Sequence, residues 1–147
     1  MKIAIGCDPN AFEHKEVLKQ LVTDLGHECV DFGSTDPIYA NTAIRLAEAV
    51  AAGECERGIL ICGTGIGVCI AANKVKGAYA AEVNNIYQAE RAQLSNCANI
   101  ITLGAQVTGI ELAKCLVKEY LKNTFDPNSR SKDKVQRIYD YEKERTV

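Results

Sequence analysis

Apolar residues recur along the chain in two alternating rhythms. Short unbroken runs, at Lys2–Cys7, Cys29–Phe32, Ile59–Ile61, Ala78–Val83 and Asn99–Leu103, have the length and the bounding turn residues of buried strands. Between them apolar positions return every three or four residues, which predicts helices. Val17, Leu18, Leu21, Val22 and Leu25 share one face of a helix that Gly26 ends, with Asn10 as its cap and Glu13 completing a capping-box-like start. Tyr39–Ala52 is an alanine-rich helix closed by Gly53, and a further helix runs from Ile86 to Leu94. From Gly109 to Lys122, Ile110, Ala113, Leu116, Val117, Tyr120 and Leu121 fall on one side. Asp126-Pro127-Asn128-Ser129 breaks that helix, and Lys132–Glu144 follows as a charged helical tail.

Strands alternating with helices predict βαβ units. The expected fold is α/β, three-layered and doubly wound: a Rossmann-like, five-stranded, mostly parallel sheet covered on both faces. The length fits a single domain, residues 1–147, with no internal repeat or linker. Ligands of such sheets bind beyond the carboxyl ends of the strands. That rule gathers Asp8, Cys62–Gly67, Asn84 and Gly104 along one edge, while strand order stays open.

The most informative stretch is Ile59–Lys74, ILICGTGIGVCIAANK. Cys62 stands where the strand ends; Gly63, Gly65 and Gly67 alternate with Thr64 and Ile66; helical spacing resumes at Val68–Ala72. A strand, a glycine-rich turn and a helix start form a place for an anion, because the first helical N–H groups are unpaired. The run lacks the spacing of a dinucleotide fingerprint and the ending of a P-loop. What it adds is a thiol at the lip of the turn, where a cysteine gains thiolate character and serves as nucleophile or general base. His14, one turn into the first helix, and His27, in a surface turn, are poorly placed to assist a nucleophile. A lone thiolate that removes a carbon-bound proton therefore fits better than a Cys/His hydrolase.

Charge narrows the partners. With 17 Lys and Arg against 19 Asp and Glu, and no basic run, nucleic acid is excluded as a partner. No apolar stretch reaches the ~20 residues of a membrane span, and MKIAIGCD is no signal peptide, so a cytoplasmic location without membrane contact is expected. Seven cysteines without a C-x-x-C pair give no zinc spacing. Cys29, Cys55 and Cys115 read as small core residues, and Cys69 as core-facing.

The run CGTGIGVCIAANKVKG resembles the core of the ribose-5-phosphate isomerase B and galactose-6-phosphate isomerase family, as do MKIAIGCD, the Asn96–Asn99 stretch leading into ITLGAQVTGIELAK, and the basic tail from Arg130. The resemblance implies an aldose–ketose isomerase of a small phosphorylated sugar, acting through a cis-enediolate with no metal or other cofactor. Cys62 matches the cysteine that shuttles a proton between C1 and C2, and Thr64 the threonine that assists it. Amides at the positions of Gly63, Gly65 and Gly67 stabilise the oxyanion. Asp8 matches an aspartate that holds sugar hydroxyls. Asn96 and Asn99 lie in the stretch that contacts the reacting oxygens, although Asn99 equally suits a strand start. Arg130 and Lys134 match two basic residues, four apart, that grip the phosphate, with Arg137 a weaker candidate. The family's arm, residues 126–147 here, packs on a partner subunit, which implies a homodimer or tetramer with shared sites.

Three departures bear on the substrate. Pro9 stands where ribose-phosphate isomerases of this type carry a phosphate-binding histidine. Ser95 replaces the histidine before Asn96, and Asp36 the tyrosine before Pro37; both lost residues belong to furanose ring opening. A four-carbon sugar esterified on O4 cannot close a furanose and needs no such acid. The segments GTGIGVCI, AERAQLSN and TFDPNSRS also look like the tetrulose 4-phosphate branch of the family. The preferred expectation is interconversion of erythrulose 4-phosphate and erythrose 4-phosphate. The alternatives are ribose 5-phosphate to ribulose 5-phosphate, with Ser95 or water in place of histidine, and a non-catalytic subunit or binding module. Cys62 and Thr64 argue against the last.

Overall fold

The computed structural model describes residues 1–145, so the last two residues of the expected arm lie outside the described residues. Five strands form one sheet: β1 (Lys2–Cys7), β2 (Glu28–Asp31), β3 (Arg57–Cys62), β4 (Ala80–Glu82) and β5 (Ile100–Gly104). Their order is β2-β1-β3-β5-β4, and every neighbouring pair is parallel. The helices are α1 (Phe12–Asp24), α2 (Tyr39–Ala51), α3 (Ile66–Ala72), α4 (Ile86–Leu94), α5 (Ile110–Lys122) and α6 (Lys132–Glu144).

Side-chain alternation along the strands sorts the helices into two layers. Ile3, Ile5, Ile59, Ile61, Ile101 and Leu103 point to one face, where Leu18 and Val22 of α1, Ala89 and Ala92 of α4, and Leu116, Val117 and Tyr120 of α5 cover them. Ala4, Leu60, Cys62 and Ile100 point to the other, under Ala43, Leu46 and Ala47 of α2 and Val68 and Ala72 of α3. The doubly wound expectation holds, with a sheet parallel throughout. The chain steps from β1 out to β2, then returns past β1 to β3, so the topological switch lies between β1 and β3. That crevice is where open α/β sheets place their ligands.

Two local readings are corrected. Asn10 does not cap the first helix. Asp8 does the capping: its Oδ1 accepts the Asn10 N–H at 3.0 Å, opening a 3₁₀ turn over Pro9–Ala11 before α1 begins at Phe12. Pro9 at the head of that turn needs no partner for a missing N–H, which suits it to the place. Cys115 is exposed, because its position on α5 falls off the face carrying Ala113, Leu116, Val117 and Tyr120.

Arg57 does in three dimensions what no capping motif does in the sequence. It is buried at the start of β3, and its guanidinium donates to Tyr120 O at 2.8 Å and Asn123 O at 2.6 Å while lying over the Tyr120 ring. It thereby satisfies carbonyls left open at the end of α5, with positive charge at the negative end of the helix. Arg57→Met leaves those carbonyls buried without a donor, so chemical denaturation should register a loss of about 3 kcal/mol; an unchanged midpoint would remove this role.

α6 stands at the margin. Val135 is its one buried residue, and it is fastened by Tyr139 against Tyr79, ring centroids 4.8 Å apart. Glu142 adds two bonds, accepting from the Tyr79 hydroxyl at 2.6 Å and the Gly77 N–H at 3.1 Å.

Candidate active site

Register places the predicted residues of the carboxyl edge in a row. Cys7 pairs with Ile61, so the next step sets Asp8 beside Cys62, and Cys62 itself pairs with Gly104. The Asp8 N–H donates to Ile61 O at 3.1 Å, which holds the first of these contacts. Asp8 and Cys62 therefore flank the topological switch.

The turn after β3 is built by contacts that explain its glycines. Gly65 adopts φ 84°, a left-handed conformation that side chains resist. A Cβ on it would lie 2.9 Å from the carbonyl carbon of Leu103, and a Cβ on Gly104 would lie 2.5 Å from the backbone of Thr64. The glycine turn and the end of β5 are thus pressed backbone to backbone, pinned by the Thr102 hydroxyl donating to Gly65 O at 2.8 Å. The outer two glycines serve side chains instead. The Tyr39 phenol lies where a Cβ on Gly67 would be, and the Gln106 carboxamide lies over Gly63. Alanine at Gly65 or Gly104 should cost about 1–3 kcal/mol by overpacking, whereas Gly63→Ala, meeting only ordinary contacts, should stay within about 0.5 kcal/mol. Thermal or urea denaturation of the three variants ranks them, and equal losses would contradict this account of the turn.

This geometry holds Cys62. The residue is 4% exposed, and its Sγ accepts the Gly65 N–H at 3.1 Å. An amide aimed at sulfur is an arrangement that supports negative charge there. Thr64 is exposed, and its Oγ1 accepts the Ile66 N–H at 3.2 Å, leaving its own proton to donate outward. Other cysteines are held as thiols: burial pushes Cys7 up to about 12 and Cys29 up to about 11, and raises Cys55 and Cys69.

Ser95, Asn96, Arg130 and Lys134 come together elsewhere. With Ser131, Val135 and Ile138 they line a cavity of about 340 Å³. Arg130 and Lys134 are exposed and make no ion pair among the described residues, whereas Arg137 is spent on Glu144 at 3.0 Å. Helix α4 leaves the carboxyl edge after β4 and returns to the amino edge, so Ser95 and Asn96 precede β5. Since Cys62 pairs with Gly104, at the far end of β5 from Ile100, the length of that strand, about 13 Å, separates the two groups. A single copy does not bring them together.

Four further residues are held by local contacts. Asn99 engages both ends of its amide at the start of β5: its Oδ1 accepts the Tyr79 N–H at 2.8 Å and its Nδ2 donates to Gly77 O at 2.9 Å. His14 donates through Nε2 to Thr108 O at 2.8 Å, and His27 sits beside the amino terminus. Cys97, at φ 50°, is a free thiol beside Tyr139, whose phenol is pushed up first by burial and then by that thiol. A larger cavity, about 740 Å³, lies between α6 and the Asn73–Tyr79 segment and contains none of the predicted site residues. Gln106 and Tyr39 escaped the sequence reading; the one available signal was that alternate glycines imply something leaning on each.

Among the described residues no helix is long and apolar enough to cross a membrane. The ribose/galactose isomerase family model matches residues 3–138. The chain is 47% identical over 148 residues to a D-erythrulose-4-phosphate isomerase of Mycolicibacterium smegmatis, covering 97% of each chain. It is 44% identical over 138 residues to a ribose-5-phosphate isomerase B of Listeria innocua, covering 92% of this chain and 93% of that one. The solved ribose-5-phosphate isomerase B of Clostridium thermocellum superposes with a TM-score of 0.93 at 40% identity, over 99% of this chain and all of that one. A thiol on a glycine turn at the switch of a parallel sheet, in a chain so matched along its whole length, places the protein in the ribose/galactose isomerase family as a sugar-phosphate isomerase, an intramolecular oxidoreductase.

Proposed function

We propose that this chain interconverts erythrulose 4-phosphate and erythrose 4-phosphate, in a site assembled from two copies. Cys62, as thiolate, takes the proton from the carbon beside the carbonyl. The C–H electron pair becomes the C1–C2 double bond, and the carbonyl oxygen takes up the charge as a cis-enediolate. The hydroxyl proton passes between the two oxygens, with the Thr64 hydroxyl as donor, and the thiol returns its proton to the other carbon. Amides of the glycine turn face the developing charge, and Asp8, beside Cys62 in register, accepts from sugar hydroxyls. The observation that carries the reading is the Gly65 N–H aimed at Cys62 Sγ at the topological switch.

The four-carbon substrate is favoured by what Asp36 is doing. Its carboxylate accepts from the Ile38 N–H at 2.9 Å and Asn41 Nδ2 at 3.1 Å. The Ile38 amide bond, then the Asn41 bond, hold its carboxyl below the usual range. An ionised, occupied carboxylate is no acid for opening a furanose, and a tetrose 4-phosphate needs none. The relative named for erythrulose 4-phosphate supports the same choice.

Ser95 favours a second reading. Arg91 Nη1 donates to its Oγ at 3.4 Å, so the serine proton is free to open a ring, as turnover of ribose 5-phosphate requires. A panel of four- to six-carbon sugar phosphates decides between them, followed by solvent deuterium incorporation at C1 or C2. The tetrose pair should dominate kcat/KM; equal turnover of ribose 5-phosphate would displace it in favour of the second reading.

The phosphate grip is assigned to Arg130 and Lys134 with Ser95 and Asn96, reached from a second copy. The exposed face of α6, with Val135 alone buried, fits an arm that packs on that copy.

A further inference from the structure

The loop after β5 is tied to the glycine turn more closely than folding the sheet requires. The Ala105 N–H donates to Cys62 O at 2.8 Å and the Gln106 N–H to Gly63 O at 2.9 Å, while the Val107 and Thr108 N–H groups close back on Gly104 O. Gln106 is thereby fixed against the residue that follows the thiol. Its carboxamide lies flat over Gly63: Cδ, Oε1 and Nε2 sit 3.5, 3.6 and 3.7 Å from where a Cβ would stand. The side chain is exposed, and its amide makes no hydrogen bond to protein among the described residues.

A carboxamide carries one donating and one accepting end and no charge. That chemistry suits a hydroxyl or a carbonyl oxygen, whereas a phosphate would be better met by the cations of the Arg130 cavity. Gly63, without a side chain, leaves the carboxamide resting directly on the residue that follows Cys62.

We propose that Gln106 is a substrate-contacting specificity residue, which binds the hydroxyl on the carbon next to the reacting pair. This rests on the proposed isomerisation at Cys62 and adds to it the group that reads the sugar. A site built to hydrogen-bond a hydroxyl discriminates against the analogue that lacks it.

The test pairs a variant with a trimmed substrate. Gln106→Met keeps the length and volume of the side chain and removes both polar ends. kcat/KM is measured for erythrose 4-phosphate and for its 3-deoxy analogue, with wild type and variant, and thermal melting confirms that both are folded. Loss of one hydrogen bond predicts that the variant falls about tenfold on the parent sugar but less than about twofold on the analogue. Wild type itself should fall about tenfold between the two sugars. Equal losses on both sugars, or none on either, overturn the assignment. If wild type turns over ribose 5-phosphate instead of the tetrose, the four-carbon reading fails separately. The same comparison is then run with ribose 5-phosphate and its 3-deoxy analogue.

Discussion

Cys62→Ala should abolish isomerisation while leaving sugar phosphate binding in place. A general base contributes about 10²–10⁴-fold, and here it is the only group proposed to touch carbon, so kcat should drop at least to the top of that range. The fold should survive, because the side chain is small and the turn is held independently by Gly65 and Gly104 against each other. Calorimetric binding of a non-isomerisable sugar phosphate should stay within about twofold, since the interaction lost belongs to the transition state. Solvent deuterium incorporation into bound substrate should cease as well, which distinguishes loss of the proton shuttle from slow product release. Cys7→Ala provides the contrast. That thiol lies one residue before Asp8 on the neighbouring strand, but burial pushes it up to about 12, and it should affect stability and not kcat. Full activity in Cys62→Ala would end the proposal; no turnover in wild type with any sugar phosphate would point to a binding module.

The same contrast marks how far the sequence could be read. Strands and long helices follow from periodicity, because a buried strand and an amphipathic helix impose their spacing on every residue. The order β2-β1-β3-β5-β4 does not, since 49 residues (8–56) separate the end of β1 from the start of β3, its neighbour in the sheet, and local spacing is silent about that pairing. The Asn10 reading failed because two capping side chains stand close together and Pro9 between them favours the earlier turn, giving the role to Asp8. Cys62 was legible from its place between a strand and glycines. Gln106 was not, since nothing in GAQVTG marks it until the fold lays it over Gly63. Arg57 likewise acts through carbonyls more than sixty residues away. Arg130 and Lys134 came from resemblance alone: on sequence they are a charged helix start, and their separation from Cys62 by the length of β5 appears only in three dimensions.

That separation makes the second large effect a matter of arithmetic between subunits. Cys62→Ala lacks the base; Arg130→Ala/Lys134→Ala lacks the phosphate grip; each alone should be nearly inactive at substrate concentrations near the wild-type KM. In the isologous pair proposed above, the thiol of one copy would meet the cations of the other, and the reverse. A hybrid of the two variants therefore regains one intact site, made of the thiol from the double variant and the cations from the other chain, while its second site carries both defects. Random exchange makes about half of the dimers hybrid, and one working site in two then restores about a quarter of wild-type activity. The chains are tagged differently, denatured together, refolded, and the hybrid confirmed by native mass spectrometry before assay. Recovery near a quarter supports the shared site, and it should scale with the hybrid fraction as the mixing ratio changes. A confirmed hybrid with no recovery would mean that base and phosphate grip must lie on one chain, which the parallel sheet, with Cys62 and the start of β5 at opposite ends, does not allow without a different phosphate site.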